Sequence, residues 1–210
     1  MIKVKILDHP LIKMKLTKMR DENTGHTDFR NNLNEIASLM VYEILRDYQP
    51  KTINVKTPTG FVAQGATFNK EILIVPILRA GLGMVEGILE LVPEAHVGHI
   101  GLFRDEKTLM THEYFYKMPK VDKESQVIIV DPMLATGNSL VEAVSRLKND
   151  GFTNIKLVCL VGSPEGIKTL ETKLDLDVEL YIAALDQGLN EKGFIIPGLG
   201  DAGDRIFGTK

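Results

Sequence analysis

Asp131 and the run Ala135-Thr136-Gly137-Asn138-Ser139 have the types and spacing to hold two parts of one polar ligand, a carboxylate followed closely by small residues rich in hydroxyl and glycine. The run opens into a helical pattern at Leu140, Val141, Ala143, Val144 and Leu147. Backbone N–H groups at a helix start lack intrahelical partners and sit at the positive end of the dipole, so a phosphate there collects several hydrogen bonds at once. Asp131 is then close enough to meet the hydroxyls of a sugar carrying that phosphate. Thr, Gly and Ser at such a turn can equally be plain turn and N-cap residues. The turn itself carries neither the GxxxxGK[ST] of a Walker loop nor the GxGxxG of a dinucleotide-binding turn.

Two arginines and a glycine-rich tail add to this set. Arg79 lies in the loop Pro76-Ile77-Leu78-Arg79-Ala80-Gly81-Leu82-Gly83, where guanidinium and backbone together could hold a second anion, and Arg104 begins the polar stretch Arg104-Asp105-Glu106-Lys107. Either arginine could also be an ordinary surface residue. In the tail, Gly198, Gly200 and Gly203 make residues 196–205 a poor helix or strand and suit a backbone that must approach something closely. Ile195, Ile196, Leu199, Ile206 and Phe207 need burial, so the tail is tied down rather than frayed.

The elements that position these groups alternate. Apolar runs without alternation at 72–75, 97–103, 127–130, 155–161 and 178–184 read as strands covered on both faces. Helical patterns fall at 11–20, 31–48, 84–91 and 140–147, and Ser163-Pro164-Glu165 starts another with Ser as N-cap and Pro in the first turn. Such strand-helix units predict a parallel sheet with helices on both faces and ligands at the carboxyl ends of the strands, where Arg79, Arg104 and Asp131 all fall. Residues 51–69, around Thr57-Pro58-Thr59-Gly60, predict a β-hairpin arm with little core of its own, a hint of an oligomer. Residues 104–119, with Tyr114, Phe115 and Tyr116, read as a hairpin or flap, its aromatics either a local anchor or a lid.

The chain is long enough for one domain over 1–210, with the arm and a C-terminal segment from about 186 attached. A formal net charge of −3 with interspersed signs offers no basic face for non-specific nucleic-acid binding. The single cysteine, Cys159, sits in an apolar run and reads as a buried, inert thiol. No apolar run reaches the length of a membrane span and the N-terminal residues are charged throughout, so a reducing cytoplasmic setting is expected.

The stretch VIIVDPMLATGNS resembles the phosphoribosyl-diphosphate signature of the type I phosphoribosyltransferases. With VPILRAGLG, LFRDEKT, an opening HPLIKMKL and the tail DQGLNEKGFIIPGLGDAGDRIFGTK, the chain resembles the uracil branch of that family along nearly its whole length. The resemblance implies an α/β phosphoribosyltransferase fold with a C-terminal base-binding hood, and transfer from 5-phospho-α-D-ribose 1-diphosphate to uracil, giving UMP and diphosphate in pyrimidine salvage. It implies that the loop Asp131-Pro132-Met133-Leu134-Ala135-Thr136-Gly137-Asn138-Ser139 holds the 5′-phosphate and the ribose, with Asp131 under the hydroxyls. Arg79 and Arg104 would hold the diphosphate. Ile195, Gly200, Asp201 and Ala202 would form the uracil pocket, largely through backbone groups, and Asp201 would also reach the Mg²⁺-bound substrate.

Most of the wider superfamily carries two adjacent acids after this strand, whereas Pro132 takes the second position here. A two-carboxylate grip on the ribose is then unavailable, and Mg²⁺ is expected to be held mainly through the substrate's own oxygens and water. Asp131, Arg104 and Asp201 are the expected catalytic residues, with Asp201 or a diphosphate oxygen as the proton acceptor. His9, His26, His96, His99 and His112 lie outside these motifs. The resemblance also raises GTP as an activator and a homodimer or homotetramer. The alternative function is a regulatory nucleic-acid-binding protein that keeps the fold; another is an enzyme for a purine or orotate.

Overall fold

The apolar runs of the sequence form neighbouring strands of one sheet. The computed structural model describes residues 2–104, 111–175 and 177–209, the side chains of Arg104 and Thr111 excepted. Its elements are β1 (Ile2–Ile6), α1 (Pro10–Arg20), α2 (His26–Ile44), β2 (Lys51–Lys56), β3 (Val62–Thr67), β4 (Ile72–Leu78), a 3₁₀ turn (Ala80–Met84), α3 (Val85–Leu91), β5 (His96–Val97), β6 (His99–Arg104) and β7 (Thr111–Lys117). They continue with β8 (Gln126–Val130), β9 (Met133–Leu134), α4 (Asn138–Asn149), β10 (Ile155–Gly162), α5 (Pro164–Lys173), β11 (Val178–Leu185), β12 (Gly188–Leu189), β13 (Ile195–Ile196) and α6 (Ala202–Phe207). The central sheet runs β1-β11-β10-β8-β4-β6-β7, with β5 beside β4 and β9 beside β10. Every pairing from β1 across to β6 is parallel, and β7 returns antiparallel to β6.

Both faces are covered, which is why the strands read as unbroken apolar runs. Ile72, Ile74, Ile128, Val130, Val158 and Leu160 pack with α1, α2 and α3 on one side. The alternate residues Leu73, Val75, Val127, Ile129, Leu157 and Cys159 pack with α4 and Leu170 of α5 on the other. Cys159 is buried, as its apolar neighbours require.

Two boundaries differ from the sequence reading. Helix α2 starts at His26 rather than 31, because Gly25 caps it and the Phe29 N–H already bonds the Gly25 carbonyl at 3.0 Å; the segment 26–30 holds one apolar residue and shows little periodicity. It ends at Ile44 rather than 48, where the buried Lys156 of β10 donates to the Ile44 carbonyl at 2.6 Å and satisfies the helix end with a cation. The run 97–103 is interrupted at Gly98, where a Cβ would lie 2.2 Å from Met118 Sδ. The tail, expected to be neither helix nor strand, contains both β13 and α6. Asp201 caps α6 by accepting the Asp204 N–H at 2.9 Å, and Arg205 is anchored to four carbonyls outside the helix, so tertiary contacts override the weak local preference.

Strands β2 and β3 pair antiparallel around a turn in which the Gly60 N–H bonds the Thr57 carbonyl at 2.9 Å with Gly60 at φ 86. Tyr48 ties the base of this hairpin, its hydroxyl accepting the Asn69 and Lys70 N–H groups at 2.9 and 2.7 Å. Beyond that base the hairpin is exposed, Phe61 by 77% and Val62 by 68%. Among the described residues, no helix is long and apolar enough to cross a membrane.

Helices α2 and α3 cross closely at Gly87, where a Cβ would lie 2.1 Å from the Asn34 carbonyl oxygen and Ser38 Oγ already donates to the Gly87 carbonyl at 2.8 Å. Because the obstacle is backbone, Gly87→Ala is expected to destabilise the fold by about 1–3 kcal/mol through overpacking. Urea denaturation checks this, and an unchanged midpoint would contradict the close crossing.

Candidate functional site

The parallel arrangement of β4, β6 and β8 brings their carboxyl ends to one edge of the sheet, with Arg79 just after β4, Arg104 closing β6 and Asp131 just after β8. β4 and β8 are neighbours, but the chain leaves β4 towards β6 and leaves β8 through α4 towards β10. The crevice where the two directions part is the place such sheets bind ligands. The two loops meet closely there: a Cβ at Gly81 would lie 2.5 Å from the Val130 carbonyl oxygen.

Residues 131–139 form a turn whose exposure alternates. Pro132 and Leu134 are buried: the Pro132 carbonyl accepts the Leu160 and Val161 N–H groups at 3.1 and 3.0 Å, and Leu134 is 1% exposed in the core. Asp131, Met133 and Ala135 point the other way and line a cleft. Gly137 takes the left-handed conformation at φ 81 as N-cap of α4, and no side chain caps that end, which leaves its N–H groups to an outside acceptor. Thr136, Asn138 and Ser139 are half-buried around it. Asn138 Oδ1 accepts from Lys173 Nζ at 2.9 Å.

The turn is braced from α5. Ser163 Oγ donates to the Ala135 carbonyl at 2.6 Å and accepts the Gly166 N–H at 2.9 Å, while the Ser163 N–H bonds the Leu134 carbonyl at 3.0 Å. A Cβ at Gly166 would lie 2.5 Å from the Ala135 carbonyl oxygen, so α5 abuts the turn at backbone distance. Ser163 is legible in the sequence as an N-cap; its second bond, across 28 residues of chain, is not.

Asp131 lies at the floor of the cleft. Desolvation there pushes its carboxyl up to about 7, opposed by the Met133 N–H, which donates to Oδ1 at 3.1 Å. The cleft, about 260 Å³, is closed on its far side by the tail, with Gly193, Phe194, Ile195, Gly200, Asp201, Ala202 and Gly203 in its wall and Ala80 between. Ile195, Gly200, Asp201 and Ala202 thus meet Asp131 and Ala135 across one cavity, and Phe194 and Gly203 stand in the same wall without having been among the expected site residues. Gly203 shows in the sequence only as one of the tail glycines, and no local pattern marks Phe194. A larger cavity of about 570 Å³ lies elsewhere, among Ile6, Leu7, Ile12, Leu39, Tyr42 and Leu91, and holds none of the residues expected to do chemistry.

Arg79 stands at the rim rather than in the wall, its guanidinium 3.8 Å from Asp204 and 5.9 Å from the Phe207 ring of α6. The Arg104 side chain and residues 105–110 of the expected flap lie outside the described residues. The flanking strands β6 and β7 pair out to Arg104 and Thr111, with a register shift at Gly101/Leu102. Among the described residues no group of three His, Cys, Asp or Glu side chains could hold a metal ion by itself. The isolated carboxylates Asp131 and Asp201 in the cleft wall do fit Mg²⁺ that arrives with most of its oxygen ligands supplied by a phosphorylated substrate.

The fold is one found among solved phosphoribosyltransferases. A hypoxanthine-guanine phosphoribosyltransferase of Bacillus anthracis shares the fold at a TM-score of 0.52 and 13% identity, over 77% of this chain and 80% of that one. Much nearer is the structure of the AQ2163 protein from Aquifex aeolicus, with TM-score 0.91 and 41% identity over 97% of each chain. A sequence profile described as uracil phosphoribosyltransferase matches residues 6–209. Proteins of that name from Mycoplasma mobile and Bacillus velezensis are 63% and 56% identical to this chain, each alignment covering 99% of it and 100% and 99% of the relative. The chain belongs to the uracil phosphoribosyltransferase family.

The raised carboxyl pKa of Asp131 has a consequence for stability. The folded state binds a proton that the unfolded chain, with an ordinary carboxylate near 4, has already released, so unfolding free energy falls as pH rises between about 4 and 7. Asp131→Asn removes this penalty. Its thermal midpoint relative to the unmodified protein is expected to be higher at pH 8 than at pH 4.5, and an equal difference at both pH values would contradict the desolvated carboxyl.

Proposed function

We propose that the protein transfers the 5-phosphoribosyl group from 5-phospho-α-D-ribose 1-diphosphate to uracil, releasing UMP and diphosphate. The observation that carries this reading is the single cleft in which Asp131 and Ala135 face the glycine-rich tail, in a chain matched over residues 6–209 to the uracil phosphoribosyltransferase family. The open N–H groups at the start of α4, with Thr136 and Ser139 beside them, receive the 5′-phosphate. Asp131 accepts the ribose hydroxyls, for which its ionised form is the better acceptor. Arg79, at the rim, and Arg104, at the end of β6, take the diphosphate.

Bond breaking at the anomeric carbon leaves oxocarbenium character on the sugar and charge on the departing diphosphate. The protein contributes positioning and charge stabilisation at the two ends of the substrate. Mg²⁺, when bound with the substrate, neutralises diphosphate charge, and Asp131 and Asp201 are the carboxylates near enough to the cleft to steady it. Uracil lies against Ile195, Gly200, Asp201 and Ala202, whose peptide groups match its donor-acceptor edge. Asp201, exposed at the cleft edge with Oδ1 occupied by the Asp204 N–H, offers its other oxygen to the proton that uracil loses. The buried single cysteine suits a cytoplasmic setting.

Incubation with phosphoribosyl diphosphate, Mg²⁺ and each free base is expected to give diphosphate release with uracil and not with hypoxanthine, guanine or orotate. Arg79→Ala and Arg104→Ala are each expected to lower kcat/KM by about 10²-fold or more with the fold intact. Absence of UMP in the unmodified protein would overturn the assignment, and full activity of either arginine variant would remove that arginine from the diphosphate site. The same assay with GTP reads activation as a rise in turnover.

The hairpin arm belongs, in this reading, to a subunit contact of a homodimer or homotetramer, since Phe61 and Val62 are left largely exposed by the described residues. Light scattering is expected to show a dimer or larger species that Phe61→Asp with Val62→Asp shifts towards monomer; an unmodified monomer would contradict it.

A further inference from the structure

Gly198, in the middle of the tail segment that walls the cleft, is held by both of its backbone polar groups. Arg20, the last residue of α1, donates from Nη1 to the Gly198 carbonyl at 2.6 Å and to Asp186 Oδ2 at 2.8 Å, and from Nη2 to Asp186 Oδ1 at 2.6 Å. Asp186 Oδ2 in turn accepts the Gly198 N–H at 3.0 Å. The carboxylate is nearly sealed from solvent, its side chain 5% exposed. Gly198 is left-handed at φ 61, and a Cβ there would lie 2.1 Å from the Ile195 carbonyl oxygen, so the segment folds back on itself at this residue. One residue further on, the Leu199 carbonyl accepts from Arg205 Nη1 at 2.9 Å, and the same guanidinium binds the carbonyl of Met19 and, at 2.7 Å, that of Asp21. Two consecutive peptides of the tail are therefore fastened to the end of α1.

We propose that Arg20 and Asp186 are positioning residues for the base, a role resting on the assignment of uracil to residues 195–202. Neither side chain is part of the cleft wall. They act by fixing where the segment places its peptide groups. A base read by backbone donors and acceptors is sensitive to small displacements of those groups, and a bidentate guanidinium-carboxylate pair fixes orientation as well as distance. The 5′-phosphate rests on a different support, the turn before α4 braced by Ser163, and Asp201 is held by its own bond from the Asp204 N–H, so the clamp acts on uracil far more than on phosphoribosyl diphosphate. Lysine at position 20 keeps the charge but loses the fork.

The test is steady-state kinetics of the full chain carrying Arg20→Lys, Arg20→Gln, Asp186→Asn or the Arg20→Gln/Asp186→Asn pair, together with hydrogen exchange at the Gly198 amide. KM for uracil is expected to rise about tenfold or more in Arg20→Gln and Asp186→Asn and less in Arg20→Lys, while the Kd for Mg²⁺-phosphoribosyl diphosphate changes by less than about twofold. The double variant is expected to be no worse than about twice the worse single one, as for groups acting as a unit. Gly198 exchange is expected to quicken in every variant. An unchanged uracil KM, or equal losses for both substrates, overturns the proposal; if Arg20→Gln does not fold, Arg20→Lys decides it. Failure of the unmodified protein to form UMP defeats the base assignment instead, and in that case unchanged Gly198 exchange in the variants defeats the clamp itself.

Discussion

The site depends on one constraint of the sheet, that β4 and β8 lie side by side and parallel while the chain leaves them in opposite directions. A parallel pair must have its carboxyl ends on the same edge, and diverging crossovers leave a crevice that no helix fills. Into that crevice the fold puts the carboxylate of Asp131 and the uncapped start of α4 from one strand, and the Arg79 loop from the other. The approach of Gly81 to the Val130 carbonyl keeps the two loops at backbone distance. Burial on both faces of the sheet enforces the arrangement, since slipping a strand by one residue would exchange the sets of residues packed against α1–α3 and against α4 and α5.

The cleft has two ends with different kinds of support. The end at α4 is fixed by local means: a turn bound to β10 through the Pro132 carbonyl and braced from α5 by Ser163. The opposite end is a glycine-rich segment of the tail, held by Arg20 and Asp186 at Gly198 and by Arg205, which ties Leu199 to Met19 and Asp21 at the end of α1. Glycine there serves close approach, and the arginines supply the order that glycine does not. The proposed reading of a base by peptide groups would need both.

Much of this was legible in the sequence wherever the controlling interaction was local. The unbroken apolar runs marked the covered strands, Gly137 and the small residues around it marked the turn before α4, and Asp131, Arg79 and Arg104 could be placed at strand ends by counting. What was not legible depends on contacts far apart in the chain. Lys156 stops α2 at Ile44, Asp201 and Arg205 make a helix out of 202–207 despite Gly203, and Arg20 meets Asp186 across 166 residues. No periodicity or motif announces such pairs. Phe194 carries no local signal for a related reason: only the folding of the tail over Asp131 and Ala135 puts it in the cleft wall.

In the proposed function one ligand lies across the whole cleft, with phosphate at the start of α4, sugar over Asp131 and base against residues 195–202. A crystal structure of the protein with UMP tests it most directly. The account predicts the 5′-phosphate on the N–H groups of residues 135–139, the ribose hydroxyls on the Asp131 carboxylate, and the uracil edge on peptide groups between Ile195 and Ala202. A phosphate bound away from the α4 start, or a base turned out of the tail, would contradict it.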